Sequence, residues 1–309
     1  ADSQQLSEPV NEWGPYKVIL ATMPIFIFSL LVMFVPFAAP EITLPFAKPF
    51  EAFITWLRVT LSLERGFEAA LGLALSLLII AIPATVAHSY YTRRGKGVEH
   101  DVTNFLRDLT ETRKTGASPE GCLESLSGRN YGKFTKQLTI TSRQIRWGLP
   151  FKIIYETFRQ KVKSWLALIN IYLLVDAIDV GGGTPETLET LTRFSEMLSS
   201  LEKEKKAMLR PLLIMPYIGA GILLFSTIIF LGFMRFVLYS FARQAIPFSQ
   251  FVTLILPPLI LQAFFTGLVT GKISSGTLSA GFKHAAILVI VAIVLMLLSG
   301  YISIPFMGW

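Results

Sequence analysis

Five runs of about 20 residues carry no Lys, Arg, Asp or Glu: residues 18–38, 69–90, 211–231, 251–269 and 285–304. A helix that crosses a bilayer needs about 20 mostly apolar residues, and a single soluble core has no use for five such segments. Composition agrees. The 309 residues are 52% apolar and 16% charged, where soluble domains carry about 25% charge. Disorder is excluded by the same figures. A disulfide scaffold is excluded because Cys122 is the only cysteine. Prolines at 24, 36, 83, 216, 257 and 258 lie in or near these runs, where neighbouring helices can satisfy the freed carbonyls. The chain starts at Ala1 without an initiator Met, so a preceding piece is expected to be missing or processed away. No signal peptide is readable in its polar first residues.

The basic residues orient the spans. Residues 92–210 hold 20 of the 28 Lys and Arg. Arg93 and Arg94 follow span two, Lys203, Lys205, Lys206 and Arg210 precede span three, and Lys272 and Lys283 bracket the loop between spans four and five. With five spans these all fall on one side, which the excess of positive charge marks as cytoplasmic. Residues 1–17 are then a cytoplasmic N-terminal segment, 18–91 hold spans one and two, 92–210 form a cytoplasmic helical domain, and 211–309 hold spans three to five. Between the first two spans, residues 46–68 are external. Phe50, Phe53, Ile54, Leu57 and Leu61 follow helical spacing there, as in an amphipathic helix at the membrane interface or packed on the bundle. Arg235 reads as an interfacial snorkelling residue.

The stretch 92–210 contains an echo. Gly116-Ala117-Ser118-Pro119-Glu120 returns 66 residues later as Gly182-Gly183-Thr184-Pro185-Glu186. Ser118 and Thr184 suit the N-cap, where a hydroxyl accepts an N–H of the first turn. Pro119 and Pro185 suit the first helical position. Gly116 and Gly183 suit the end of the preceding helix. Each copy is a helix, a glycine break and a capped helix, so a bundle of two similar halves is expected.

Charge in this stretch is sorted. Residues 129–163 hold nine bases against Glu156 alone. Like charges so concentrated repel one another and call for an acidic partner protein or an anionic lipid surface. No nucleic-acid motif accompanies them, so nucleic acid is not expected.

Catalytic patterns are lacking. Gly181-Gly182-Gly183 has no following Lys-Ser/Thr and reads as a helix terminator, not a phosphate loop. No nucleophile elbow or paired metal-binding histidine appears. Asp176 and Asp179 are three residues apart but read as solvated or paired with bases. Cys122 reads as a small buried residue in a reducing compartment. No catalytic residue, cofactor or metal is expected, and the ATPase of any energy-driven machine would be a separate protein.

Three features together carry a resemblance. They are the element 105–126, its echo 172–191 followed by 194–210 with Glu202-Lys203-Glu204-Lys205-Lys206, and the tail Gly267-Leu268-Val269-Thr270-Gly271-Lys272-Ile273-Ser274-Ser275-Gly276 with Gly281-Phe282-Lys283-His284. Their order resembles the integral-membrane platform proteins of type II secretion and type IV filament machines, most closely the archaellum and archaeal pilus branch. With the five spans already read from the sequence, the chain is expected to be an all-α membrane protein of about five transmembrane helices, and the resemblance implies a cytoplasmic six-helix bundle of two pseudo-repeated three-helix halves. It implies a multi-pass protein of the cell membrane, a homodimer or similar oligomer, a docked hexameric secretion ATPase, and pilin-like or archaellin subunits passed from the bilayer to a filament. Many members carry two bundles. This chain has room for one, so it is a C-terminal portion of a longer protein or a one-bundle form. On this reading Lys152, Arg159, Lys161 and Lys163 face the ATPase, and Arg93, Arg94, Lys203, Lys205 and Lys206 anchor at the membrane surface. The rival readings are a transporter or permease component and a lipid-binding scaffold.

Overall fold

The computed structural model describes residues 13–42, 44–93, 97–162, 164–180, 183–240 and 247–299. Among them every regular element is helical: α1 (Trp13–Met33), α2 (Val35–Ala38), α3 (Lys48–Thr60), α4 (Glu68–Arg93), α5 (Val98–Lys114), α6 (Pro119–Leu126), α7 (Thr135–Arg146), α8 (Phe151–Lys161), α9 (Trp165–Asp179), α10 (Pro185–Ser240), α11 (Phe248–Ser275) and α12 (Leu278–Ser299). Five helices are long and apolar enough to cross a membrane: α1 with its short continuation, α4, α10, α11 and α12. The chain is an all-α membrane protein. The last expected span runs on to residue 304, and its end lies outside the described residues.

The third span differs from its expected form. It is not a separate helix beginning near Pro211. The helix begins at Pro185 and passes Pro211 and Pro216 unbroken for 56 residues. The run 202–206 offers no glycine or cap to stop it, and Glu and Lys are good helix formers.

The chain divides into two compact units, Tyr90–Ala207 and Trp13–Ser89 with Met208 onward. In the second, α4, α11 and α12 supply the core through Leu71, Leu73 and Leu77, Val252, Leu256 and Ile260, and Val289, Ala292 and Met296. Glycines set its tightest contacts. A Cβ on Gly271 would lie 2.0 Å from the Gly281 Cα, and one on Gly267 would lie 2.2 Å from the Ala285 Cα. The hairpin α11–α12 therefore packs backbone on backbone, as small residues permit in membranes. The same holds where α1 crosses α4, since a Cβ on Gly72 would lie 1.9 Å from the Met33 carbonyl oxygen. Arg58 of α3 pairs with Glu68 of α4 at 3.0 Å, and Arg235 of α10 pairs with Glu64 of the α3–α4 connection at 2.5 Å, so Arg235 is held in an ion pair rather than left to snorkel. Along α3, Ile54 is buried while Phe53 and Trp56 stack on each other at the surface.

The first unit has its own core. Val98, Val102, Phe105, Leu106 and Leu109 form the buried stripe of α5. Phe105 packs its ring against Phe134 of the α6–α7 connection, and Phe134 against Phe158 of α8, at centroid distances of 5.1 and 5.9 Å.

Candidate docking surface

The first unit is held together by a polar line beside the apolar stripe of α5. The Thr110 and Thr192 hydroxyls lie 2.9 Å apart, and those of Thr103 and Ser195 lie 3.0 Å apart. Both pairs are buried and join α5 to α10. The Asn170 amide of α9 donates to Ser195 at 2.8 Å. Just outside, Arg107 of α5 donates to Glu196 of α10 through Nε at 3.0 Å. Buried hydroxyls retain their desolvation cost unless paired, so these contacts fix the register of α5 against α10.

The two echoed corners meet. Two residues past the end of α5 stands Gly116, whose φ is +88°, a conformation favourable only for glycine. Ser118 accepts the Gly121 N–H at 3.1 Å, with Pro119 in the first turn of α6. Thr184 accepts the Thr187 N–H at 3.3 Å, with Pro185 opening α10. Gly183 acts through size. A Cβ there would stand 3.0 Å from the Pro119 ring, so the second corner closes on the first. Arg113 ties the pair: its Nε donates to the Gly183 carbonyl at 2.7 Å, and the same guanidinium donates to the Ala117 carbonyl. Beyond the corners the halves diverge. After α6 the chain breaks before α7, whereas α10 continues without a break. Gly181 and Gly182 lie outside the described residues.

Two bases of the block are paired with acids of the same unit. Arg129 pairs with Asp108 at 2.9 Å, and Arg146 pairs with Glu124. Asp108 also accepts the Tyr131 hydroxyl at 2.7 Å. Burial, then this hydrogen bond, pushes the Tyr131 phenol well above its ordinary range. What remains at the surface includes Lys136 and Arg143, one face of α7, followed by Trp147, which is 75% exposed. Gly148, with φ +67°, turns the chain directly after it. The sequence signal for this tryptophan was a basic amphipathic helix ending in Trp-Gly.

Of the residues expected to face an ATPase, Lys161 is exposed at the end of α8 and Arg159, two residues earlier, is half-buried. Lys152 belongs to α8, but its side chain and the whole of Lys163 lie outside the described residues, as do the Arg93 side chain and Arg94. Lys203, Lys205 and Lys206 are exposed on α10, the last two reaching Glu202 at 3.5 and 3.9 Å. Among the described residues no group of three potential metal ligands occurs, and Asp176 and Asp179 are exposed. Cys122 is buried, and burial raises its thiol pKa, which keeps it protonated and unreactive.

Comparison with known proteins matches residues 105–232 to the family "Type II secretion system (T2SS), protein F". This stretch, less than half of the chain, is similar to protein F of that system. It begins in α5, includes both corners and every member of the polar line except Thr103, and ends within the apolar part of α10. With its five apolar helices, the chain is a multi-pass protein of the cell membrane. It is also similar to the uncharacterized protein MJ1286 of Methanocaldococcus jannaschii, 22% identical over 208 residues, which cover 65% of this chain and 32% of that protein. The matched part thus spans about a third of that relative's length. No solved structure matches.

Proposed function

We propose that this chain is a non-enzymatic platform of a secretion or type IV filament assembly machine, of the archaellum or archaeal pilus kind. The observation that carries this is the similarity to protein F at 105–232, a stretch that leads from a helical bundle into an apolar helix. Residues 92–210 are the cytoplasmic part. They dock a separate hexameric ATPase through the basic end of α8, at Lys152, Arg159, Lys161 and Lys163, where acids are scarce. Residues Lys203, Lys205 and Lys206, with Arg93 and Arg94, lie at the lipid surface. Motion received by the bundle passes to pilin-like or archaellin subunits in the bilayer. The chain works as a homodimer. The row Phe194, Met197 and Leu201 supports this, being exposed on α10 with the three-and-four spacing that suits helix pairing.

The test is binding of the full chain, in lipid discs, to the secretion ATPase of the same cell at two salt concentrations. Salt-sensitive binding that changes ATP turnover is expected. Binding to anionic lipid vesicles with none to the ATPase would favour a lipid scaffold instead.

A further inference from the structure

Hydrocarbon offers no hydrogen bonds, so polar groups inside a span must find partners in protein. The threonines of the spans do this within their own helices. Thr22, Thr85, Thr227, Thr253 and Thr270 each donate to a carbonyl three or four residues back, at 2.7–3.0 Å. Thr266 makes no such bond. One turn before it stands Gln262, at the middle of the 28-residue α11, with its amide exposed. Among the described residues neither group has a hydrogen-bond partner.

Both line the same depression. Between α10 and α11 lie two adjoining hollows of about 300 and 570 Å³, sharing Pro216, Gln262 and Thr266 in their walls. Gly219 and Ala220 of α10 line the smaller one and leave it room. Pro216 has no N–H, so the Leu212 carbonyl lacks its helical donor as well. The groove is apolar along its length, with uncommitted polar capacity near the middle of the candidate span α11. A lipid tail fills such a shape but leaves the amide unsatisfied. A second copy would set one concavity against another.

We infer that this groove receives a transmembrane helix of the subunit being assembled, and that Gln262 and Thr266 hydrogen-bond a carboxyl, amide or hydroxyl near the middle of that helix. This rests on the platform reading. Interhelical hydrogen bonds in membranes are of modest strength, which suits a site that must hold a subunit and then release it.

The experiment places a photo-crosslinking phenylalanine at Phe265, on the groove wall, or at Ile290, an exposed residue of α12, in the full chain in native membranes. An adduct containing a single-span filament subunit is expected from position 265 and not from 290. Gln262→Leu should lower that adduct at least tenfold, while the thermal midpoint of the purified chain stays level or rises. A lowered midpoint would make the amide a structural group and overturn the assignment. So would an unchanged adduct yield, or an adduct with a second copy. Filament counts separate the two levels of the claim. If cells lacking the chain still assemble filaments, the platform reading falls and takes the groove with it. If filaments require the chain but tolerate Gln262→Leu, the groove assignment alone falls.

Discussion

At the scale of single residues, Arg113 and Tyr131 bear most on the bundle. Arg113 satisfies two carbonyls at once, one in each echoed corner. Arg113→Ala would leave both to water or unpaired. A hydrogen bond to a charged group contributes about 1.5–3 kcal/mol, so a loss of about 2 kcal/mol is expected, read as a lower urea midpoint for the bundle's unfolding. Arg113→Lys should recover little, because one ammonium does not reproduce a fork aimed at two oxygens. Tyr131 makes a pH prediction. Its folded pKa lies above the ordinary value of 10.0, through burial and the hydrogen bond to Asp108. Below that pH the phenol is neutral folded or unfolded, and its contribution is fully present. As pH rises above it, the unfolded phenol ionises first, and stability falls. Tyr131→Phe should therefore flatten the decline in thermal midpoint above about pH 10, although Tyr155, also raised by burial, keeps its own share. An equally steep decline in the variant would refute the assignment.

At the scale of elements, backbone contact between α11 and α12 makes the sharpest forecast. Gly271→Leu puts a side chain where the Gly281 backbone lies. The hairpin must part, and overpacking of this kind costs about 1–3 kcal/mol or more. The expected result is a lower thermal midpoint in detergent, with Gly221→Ala costing little, since no atom lies within 4 Å of a Cβ there. These contacts also mark the limit of what sequence could tell. The spans were legible because hydrocarbon imposes a length and a composition on each helix separately. The corners were legible because Ser118 with Pro119, and Thr184 with Pro185, act within one turn. Arg113 reaches a carbonyl 70 residues away, and Gly271 matters only because Gly281 lies against it. Neither partner is written in local periodicity. Trp147 was hidden for a different reason, since its exposure is visible only once α7 has chosen its buried face.

At the scale of the molecule, the basic block serves two purposes, and a charge-reversal experiment separates them. Arg129 and Arg146 pair with Asp108 and Glu124 at the surface of the bundle, so reversing either sets acid against acid there and should cost a modest amount of stability. The proposed docking set makes a different demand. Lys161 is exposed, and Arg159 is only half-buried. Replacing Lys152, Arg159, Lys161 and Lys163 by Glu together should abolish salt-sensitive ATPase binding while the helical signal of the chain survives. A second variant, with Lys136→Glu, Arg143→Glu and Trp147→Ala, changes the exposed face of α7 instead. An exposed Trp beside arginine has the composition of an interface hot spot, so this face is the natural competitor. Loss of binding in the first variant alone assigns docking to α8. Loss in the second alone moves it to α7, because the charges at α8 would then be dispensable. Loss in both, with the salt dependence of the native chain reduced in proportion, means one acidic partner surface covers the two helices. Long-range attraction between exposed charges is screened over about 10 Å at 0.1 M salt, so the slope against ionic strength reports how many of these charges the partner meets.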